Sequence, residues 1–201
     1  MTDYHARDIV GAVFQALENM PVVVLTGMRQ TGKTTFLRSQ GGMENRAFLS
    51  FDDFAQREAA RADPDGFLRR EAPVTIDEAQ KCPEIFDALK RSVDMDRTPG
   101  RFLLSGSANF SILESITESL AGRSVYLDLC PFNRRELHEA TGREPFLKRF
   151  FENPNLRLKG DLPAIAPRDV LQGGMPTVCL GQVKDLEIWF RGYEQTYLER
   201  D

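Results

Sequence analysis

Histidine and cysteine are scarce in this chain, and that scarcity narrows the chemistry open to it. Two histidines, His5 and His138, and three cysteines, Cys82, Cys130 and Cys179, are spread over 201 residues. Neither histidine has a Cys, His or carboxylate at metal-ligand spacing, which argues against a zinc site or a His-based triad. The cysteines are odd in number and widely separated. They read as reduced, semi-buried thiols of a cytoplasmic protein rather than as a disulfide framework. No apolar run reaches membrane-spanning length, and Met1-Thr2-Asp3-Tyr4-His5-Ala6-Arg7-Asp8 has no signal-peptide character. The expectation is therefore a cytoplasmic chain with no membrane partner. Charge of one sign is lacking too: 26 Lys and Arg against 30 Asp and Glu leave a formal net charge of −4, without the bulk basic footprint of a nucleic-acid binder. Arg143, Lys148, Arg149, Arg157 and Lys159 form a local basic group, read first as a solvated helix face.

What is present is concentrated at residues 27–34. Gly27-Met28-Arg29-Gln30-Thr31-Gly32-Lys33-Thr34 fills the pattern G-x-x-x-x-G-K-[ST] without a mismatch. Gly27 and Gly32 allow backbone turns that a Cβ would block, so that successive N–H groups point into one concavity. Lys33 sets a cation against β- and γ-phosphates, and the Thr34 hydroxyl can complete a Mg²⁺ shell. Pro21-Val22-Val23-Val24-Leu25-Thr26 precedes the loop as a β-branched apolar run, as a buried parallel strand requires. Thr34-Thr35-Phe36-Leu37-Arg38 can open the following helix, whose N-terminal dipole favours phosphate. The run Gly27, Met28, Arg29, Gln30, Thr31, Gly32, Lys33, Thr34 and Thr35 is assigned to nucleotide binding, with Arg29 and Gln30 read as exposed loop positions.

Strand and helix signals alternate from there. Arg46–Asp53 reads as a second strand and residues 54–70 as helical with a break at Pro64-Asp65-Gly66. Val74-Thr75-Ile76 is a third strand running into Asp77-Glu78. Pro83 sits in the first turn of the next helix, where Ile85, Phe86, Leu89 and Val93 make an apolar stripe. Arg101–Ser105 is a fourth strand, about Ser111–Leu120 a helix, and Ser124–Leu129 a fifth strand. Such alternation implies right-handed crossovers and a parallel sheet covered on both faces. Ligands of these sheets sit at the carboxyl ends of the strands, which predicts that Thr26, Asp52, Asp77, Glu78 and Ser105 share an edge with the phosphate loop. Beyond Pro131 one more helix is expected over Phe132–Glu139, an excursion over Arg143–Asp161, and helix again over Ala166–Asp201, broken at Gly173-Gly174. Leu186, Trp189, Phe190, Tyr193 and Tyr197 recur at helical spacing, as a packing face does.

Hydrolysis of a phosphoanhydride needs a metal, a positioned water and positive charge near the γ-phosphate. Asp77, following an apolar strand, is placed with Thr34 to hold Mg²⁺. Glu78 is placed to orient or deprotonate the attacking water, and Lys33 completes the phosphate contacts. Ser105, Ser107 and Asn109 at the fourth strand's end are candidates to sense the γ-phosphate, or to cap a helix. Arg123 is either a transition-state arginine acting on a neighbouring subunit or an ordinary ion-pairing residue. A guanine-reading Asn-Lys-x-Asp segment is absent, so ATP is the expected nucleotide.

A set of segments in order then resembles the bacterial and archaeal AAA-type ATPases that carry a C-terminal domain of unknown function. They are Leu25–Thr35, Thr75-Ile76-Asp77-Glu78-Ala79-Gln80, Pro99–Asn109, Glu118-Ser119-Leu120-Ala121-Gly122-Arg123, Leu171-Gln172-Gly173-Gly174-Met175-Pro176 and Trp189–Asp201. Met28 stands where relatives usually carry Pro, and residues 143–161 match nothing in the pattern. The resemblance implies an α/β P-loop fold of three layers, with a five-stranded, mostly parallel sheet in the order 5-1-4-3-2 and a small C-terminal helical lid. It implies an ATPase core over residues 1–140, a lid segment over 141–185, and at 186–201 the start of a C-terminal domain that is missing here. Output would pass to that domain, to a protein partner or through a homo-oligomer. A nucleotide switch with little hydrolysis, a small-molecule kinase and a nucleic-acid-dependent motor are the competing readings. Glu78 favours hydrolysis over the first two, and the acidic balance disfavours the last.

Overall fold

The computed structural model describes residues 4–70, 73–107, 120–142, 144–155 and 163–198. By contacts the chain falls into two compact units. One holds Ile9–Cys130; the other combines the residues up to Asp8 with those from Pro131 onward.

The larger unit is built on a five-stranded sheet. Its strands are β1 (Val22–Thr26), β2 (Ala47–Ser50), β3 (Val74–Asp77), β4 (Phe102–Ser105) and β5 (Ser124–Asp128). They lie in the order β2-β3-β4-β1-β5, which is the expected 5-1-4-3-2 read from the other edge, and every pairing is parallel. All of β1 is buried; a strand covered on both faces has no polar alternation to show, hence the continuous Val-Val-Val-Leu run. Helices α1 (Val10–Asn19), α2 (Lys33–Ser39), α3 (Phe54–Ala62), α4 (Pro64–Leu68) and α5 (Glu84–Met95) flank it.

Successive strand side chains point to opposite faces, and two separate cores result. Val22 and Val24 join Phe102, Leu104, Val74 and Ile76 under Ile85, Phe86, Leu89 and Val93 of α5. Val23 and Leu25 join Leu103 on the other face, with Val13 of α1 and Phe36 and Leu37 of α2. Leu89 is fully buried, so Leu89→Ala is expected to cost about 2–5 kcal/mol of stability through lost burial and a residual cavity. The check is a lower urea midpoint at an unchanged m-value; an unmoved midpoint would mean that α5 does not carry this layer.

Local chemistry explains the helix borders. The Asp53 carboxylate accepts hydrogen bonds from the N–H groups of Ala55 and Gln56, at 2.8 and 3.3 Å, and starts α3. Asp63 ends α3 and starts α4, accepting from the Gly66 N–H at 2.9 Å. This is the break foreseen at Pro64. Pro83 proves to be the N-cap of α5 rather than a residue of its first turn.

Three further findings depart from expectation. Helix α1 precedes the first predicted element, and the sequence reading passed over it. Phe146–Glu152 is helical inside the stretch read as an excursion, with the Phe146 and Phe150 rings one turn apart and 5.7 Å between centroids. The thiols expected to be semi-buried differ from one another: Cys82 is buried, Cys179 half-buried and Cys130 exposed, all of them free. Burial pushes the Cys82 thiol up to about 11. The helix expected near Ser111–Leu120 lies outside the described residues except for Leu120, which is buried and helical.

The second unit is made of short helices, Arg134–Leu137, Phe146–Glu152, Pro167–Gln172, Pro176–Cys179 and Leu186–Tyr193, the last continuing as a π-turn over Glu194–Leu198. Asn133 and Glu136 form a reciprocal capping box. Glu136 is buried, and its Oε1 accepts from the Asp8 N–H at 2.7 Å and faces Arg7 Nε at 3.2 Å. The Arg7 guanidinium lies 4.4 Å from the Phe132 ring centroid. The Phe132 N–H donates to the Gly174 carbonyl at 2.7 Å, so close that a Cβ on Gly174 would meet Phe132 O at 2.0 Å. Gly174, the second glycine of the pair that breaks the helical pattern, is thus required by a backbone contact. Trp189 stacks on Tyr193, and Tyr193 meets Tyr197 at a tilt, with successive centroids 5.2 Å apart.

Candidate functional site

The loop between β1 and α2 is shaped by its glycines. Gly27 has φ of 145°, and a Cβ there would sit 2.5 Å from the Leu129 carbonyl oxygen. Gly32 has φ of 92° and caps α2. Gln30, also at positive φ, lies on the exposed crest with Met28 and Arg29. Beneath the crest Thr31 is fully buried and its hydroxyl donates to the Met28 carbonyl at 3.0 Å.

Lys33 is buried under this loop, and its ammonium donates to the carbonyls of Gly27 and Met28 at 2.9 and 2.8 Å. Burial lowers its pKa from the ordinary lysine value, while Glu78, Asp77 and Asp128 act in the opposite sense. Among the described residues its hydrogen-bond acceptors are neutral carbonyls, which the oxygens of an incoming anion can replace.

Asp77 closes β3 and is 1 % exposed. Both carboxylate oxygens are engaged. Thr34 Oγ1 donates to Oδ2 at 2.7 Å, and the Ser105 hydroxyl, from the end of β4, donates to Oδ1. Three elements are thereby tied at one point: the first turn of α2, β3 and β4. Glu78 follows in the left-handed region, φ 56° and ψ 41°, a costly conformation for a residue with a Cβ. Its N–H donates to Ser105 Oγ at 3.3 Å, and its carboxylate accepts from the Gln80 amide at 2.6 Å.

The structure thus gathers Gly27, Thr31, Gly32, Lys33, Thr34, Asp77, Glu78 and Ser105 at one edge of the sheet. Thr35 is exposed on the first turn of α2. Ser107 joins through Gln80, whose Nε2 lies 3.3 Å from its hydroxyl. Asp52 stands exposed beyond β2 and pairs with Lys81. Asn109 lies outside the described residues. Arg123 is placed elsewhere. It immediately precedes β5, whose first residue Ser124 is level with Val22 and whose last, Asp128, is level with Thr26. About 13 Å of strand therefore separates it from the loop edge. There it grips Asp94 through two hydrogen bonds, Nε to Oδ1 at 2.7 Å and a terminal nitrogen to Oδ2 at 2.9 Å.

The sequence reading missed Gln80, which touches Glu78, and Asp128, which acts on Lys33. Position alone marked both: Gln80 stands two residues after Glu78, and Asp128 ends a strand beside the loop.

The oxygen donors fit a hard divalent cation such as Mg²⁺. Thr34 and Asp77 would hold it, the aspartate through water, with phosphate oxygens completing the shell. Among the described residues no group of three His, Cys, Asp or Glu gathers that could hold a metal alone. Nor is any helix among them long and apolar enough to cross a membrane.

Comparison with known proteins bears on family and fold. The family described as an AAA domain matches residues 19–138. Uncharacterized proteins of Mycobacterium bovis and Mycobacterium tuberculosis are each 34 % identical over 197 residues, 97 % of this chain and 39 % of theirs. The chain thus spans about two fifths of the length of the curated relatives it matches. Among solved structures, a Walker-type ATPase of Pyrococcus abyssi superposes with a TM-score of 0.52 at 16 % identity, over 92 % of this chain and 69 % of that one; that likeness is one of fold. The chain belongs to the AAA domain family and is a P-loop ATPase-type domain.

Proposed function

We propose that this AAA-family domain binds ATP with Mg²⁺, hydrolyses it, and passes the change of nucleotide state to a protein partner or an appended domain. The observation that carries the reading is the tie between Thr34 and Asp77 at 2.7 Å with Glu78 next in the chain. On it, the loop N–H groups and Lys33 bind the phosphates, and Lys33 exchanges its two carbonyl partners for phosphate oxygens. When bound, Mg²⁺ supplies positive charge against those oxygens. Asp77, with both oxygens already occupied by hydroxyl donors, keeps its orientation. Glu78 takes or directs the proton of the attacking water, and Ser105 fixes both acids through one hydroxyl. A pure binder has no use for a second acid in a strained backbone conformation beside the first.

The test is Mg²⁺-dependent phosphate release from ATP, with ATP binding followed in parallel. Release by the wild type supports the reading; tight binding without release would replace it with a nucleotide switch.

Arg123 enters this reading only across an interface. In its own chain it sits at the far end of β5 and is engaged by Asp94. In dilute solution Arg123→Ala is therefore expected to leave turnover per chain unchanged, while any rise of turnover with protein concentration should vanish in the variant. Loss of activity in the dilute variant would show instead that Arg123 serves the nucleotide of its own chain.

A further inference from the structure

Gln80 lies on the single 3₁₀ turn Ala79–Lys81 that follows Glu78, and its side chain is turned back onto the site. Nε2 donates to Glu78 Oε2 at 2.6 Å and to Ser107 Oγ at 3.3 Å. A carboxylate only accepts hydrogen bonds, so the amide must present its NH₂ to Glu78. Its Oε1 is then directed away from both, buried, and finds no donor among the described residues. An amide placed for packing or fold stability has its carbonyl satisfied when buried. This one directs its donors to the proposed base and to the polar end of the neighbouring strand, and leaves its own acceptor unpaired.

Gly106 makes the arrangement possible. It lies between Ser105 and Ser107 just past β4, and a Cβ there would come within 2.8 Å of Gln80 Oε1. The space taken by the amide is the space of a missing methyl group.

We infer that Gln80 is a positioning residue for Glu78: its amide bridges Glu78 to Ser107 and holds the carboxylate in the orientation that directs the attacking water. The inference rests on the ATPase reading and adds to it a link between the end of β4 and the base. Gln80 stabilises one rotamer of Glu78 without contacting nucleotide phosphate. Its loss therefore changes the chemical step and not binding.

The experiment compares steady-state phosphate release and ATP affinity for the wild type, Gln80→Met, Gly106→Ala, Glu78→Gln and the double variant Glu78→Gln with Gln80→Met. Gln80→Met keeps the length of the side chain without the amide, and is expected to lower kcat about 10- to 100-fold, the effect of a misaligned catalytic group, with KM and ATP affinity unchanged. Gly106→Ala leaves Gln80 in place but displaces its amide. The clash is with the far end of a flexible side chain, so the fold gives way at little cost, and kcat should fall with the melting temperature preserved. In the Glu78→Gln background Gln80→Met should bring no further loss, because the group it positions is already gone. An unchanged kcat in Gln80→Met, a rise in KM that matches the fall in kcat, or a further loss in the double variant would each overturn the inference. The ATPase reading fails separately: it falls if the wild type releases no phosphate, and it stands if Glu78→Gln is inactive while the Gln80 and Gly106 variants turn over normally.

Discussion

Glu78→Gln is expected to lower phosphate release from ATP by about 100- to 10,000-fold, the range that a positioned general base contributes, while ATP stays bound with near wild-type affinity. The reason lies in how the two acids are occupied. Asp77 accepts from Thr34 at Oδ2 and from Ser105 at Oδ1, so its carboxylate is fixed in orientation beside Thr34, where a metal would be held. Glu78 accepts from Gln80 at Oε2, and it is half-buried. The phosphate contacts come from other residues, Lys33 and the loop backbone, and a metal would be held by Thr34 and Asp77. The amide of Gln keeps the shape and one accepting oxygen and removes the basicity and the negative charge. The measurement is a pair, single-turnover phosphate release and equilibrium ATP binding. Retained turnover would remove Glu78 from the chemistry; turnover and binding lost together would make it part of the binding site instead.

That pair of acids was legible because a parallel sheet places its strand ends along one edge. Once β1, β3 and β4 were recognised as buried parallel strands, Thr26, Asp77 and Ser105 had to lie along one edge of the sheet. Strand order is a different matter. Periodicity says nothing about which strand lies beside which, and the order β2-β3-β4-β1-β5 was anticipated only through the family resemblance. Helix α1 was overlooked for a local reason. Its N-cap, Ile9, makes no side-chain capping bond, and no acid stands in its first turn, so it lacks the start signals by which sequence marks a helix. Phe146–Glu152 was obscured similarly: its cap, Pro145, makes no side-chain bond, and Phe146, Leu147 and Phe151 are all exposed, so no amphipathic face announces it. Gln80 stands two residues after Glu78, but what turns its amide onto that residue is the space left by Gly106 just past β4, a tertiary fact that residues 77–80 do not contain. Arg123 was seen, and its position before β5 already implied the end of the sheet opposite the phosphate loop.

Lys33→Ala tests the other half of the site, and its signature should be the reverse: binding lost, with the fold kept. Without nucleotide, Lys33 spends its ammonium on the carbonyls of Gly27 and Met28, and burial already works against its charge. Its removal deletes two hydrogen bonds but also relieves a desolvated cation, so the two effects oppose each other and the melting temperature of the unliganded chain should change little. With ATP the balance differs. A charge-assisted bond to phosphate contributes about 1.5–3 kcal/mol, so its loss should raise the dissociation constant about 10- to 100-fold. Mass action then makes the result easy to read. A ligand at 100 times its dissociation constant stabilises the folded state by about 2.7 kcal/mol, and the same concentration acting on a site weakened 100-fold gives about 0.4 kcal/mol. Mg²⁺-ATP should therefore raise the melting temperature of the wild type clearly and that of Lys33→Ala hardly at all, while Glu78→Gln keeps the full rise. Lys33→Arg should not restore the effect, since a planar guanidinium does not fit a pocket closed on a compact ammonium by Gly27 and Met28. If ATP stabilises Lys33→Ala as much as the wild type, the nucleotide does not bind through this loop, and the site must be sought elsewhere on the sheet.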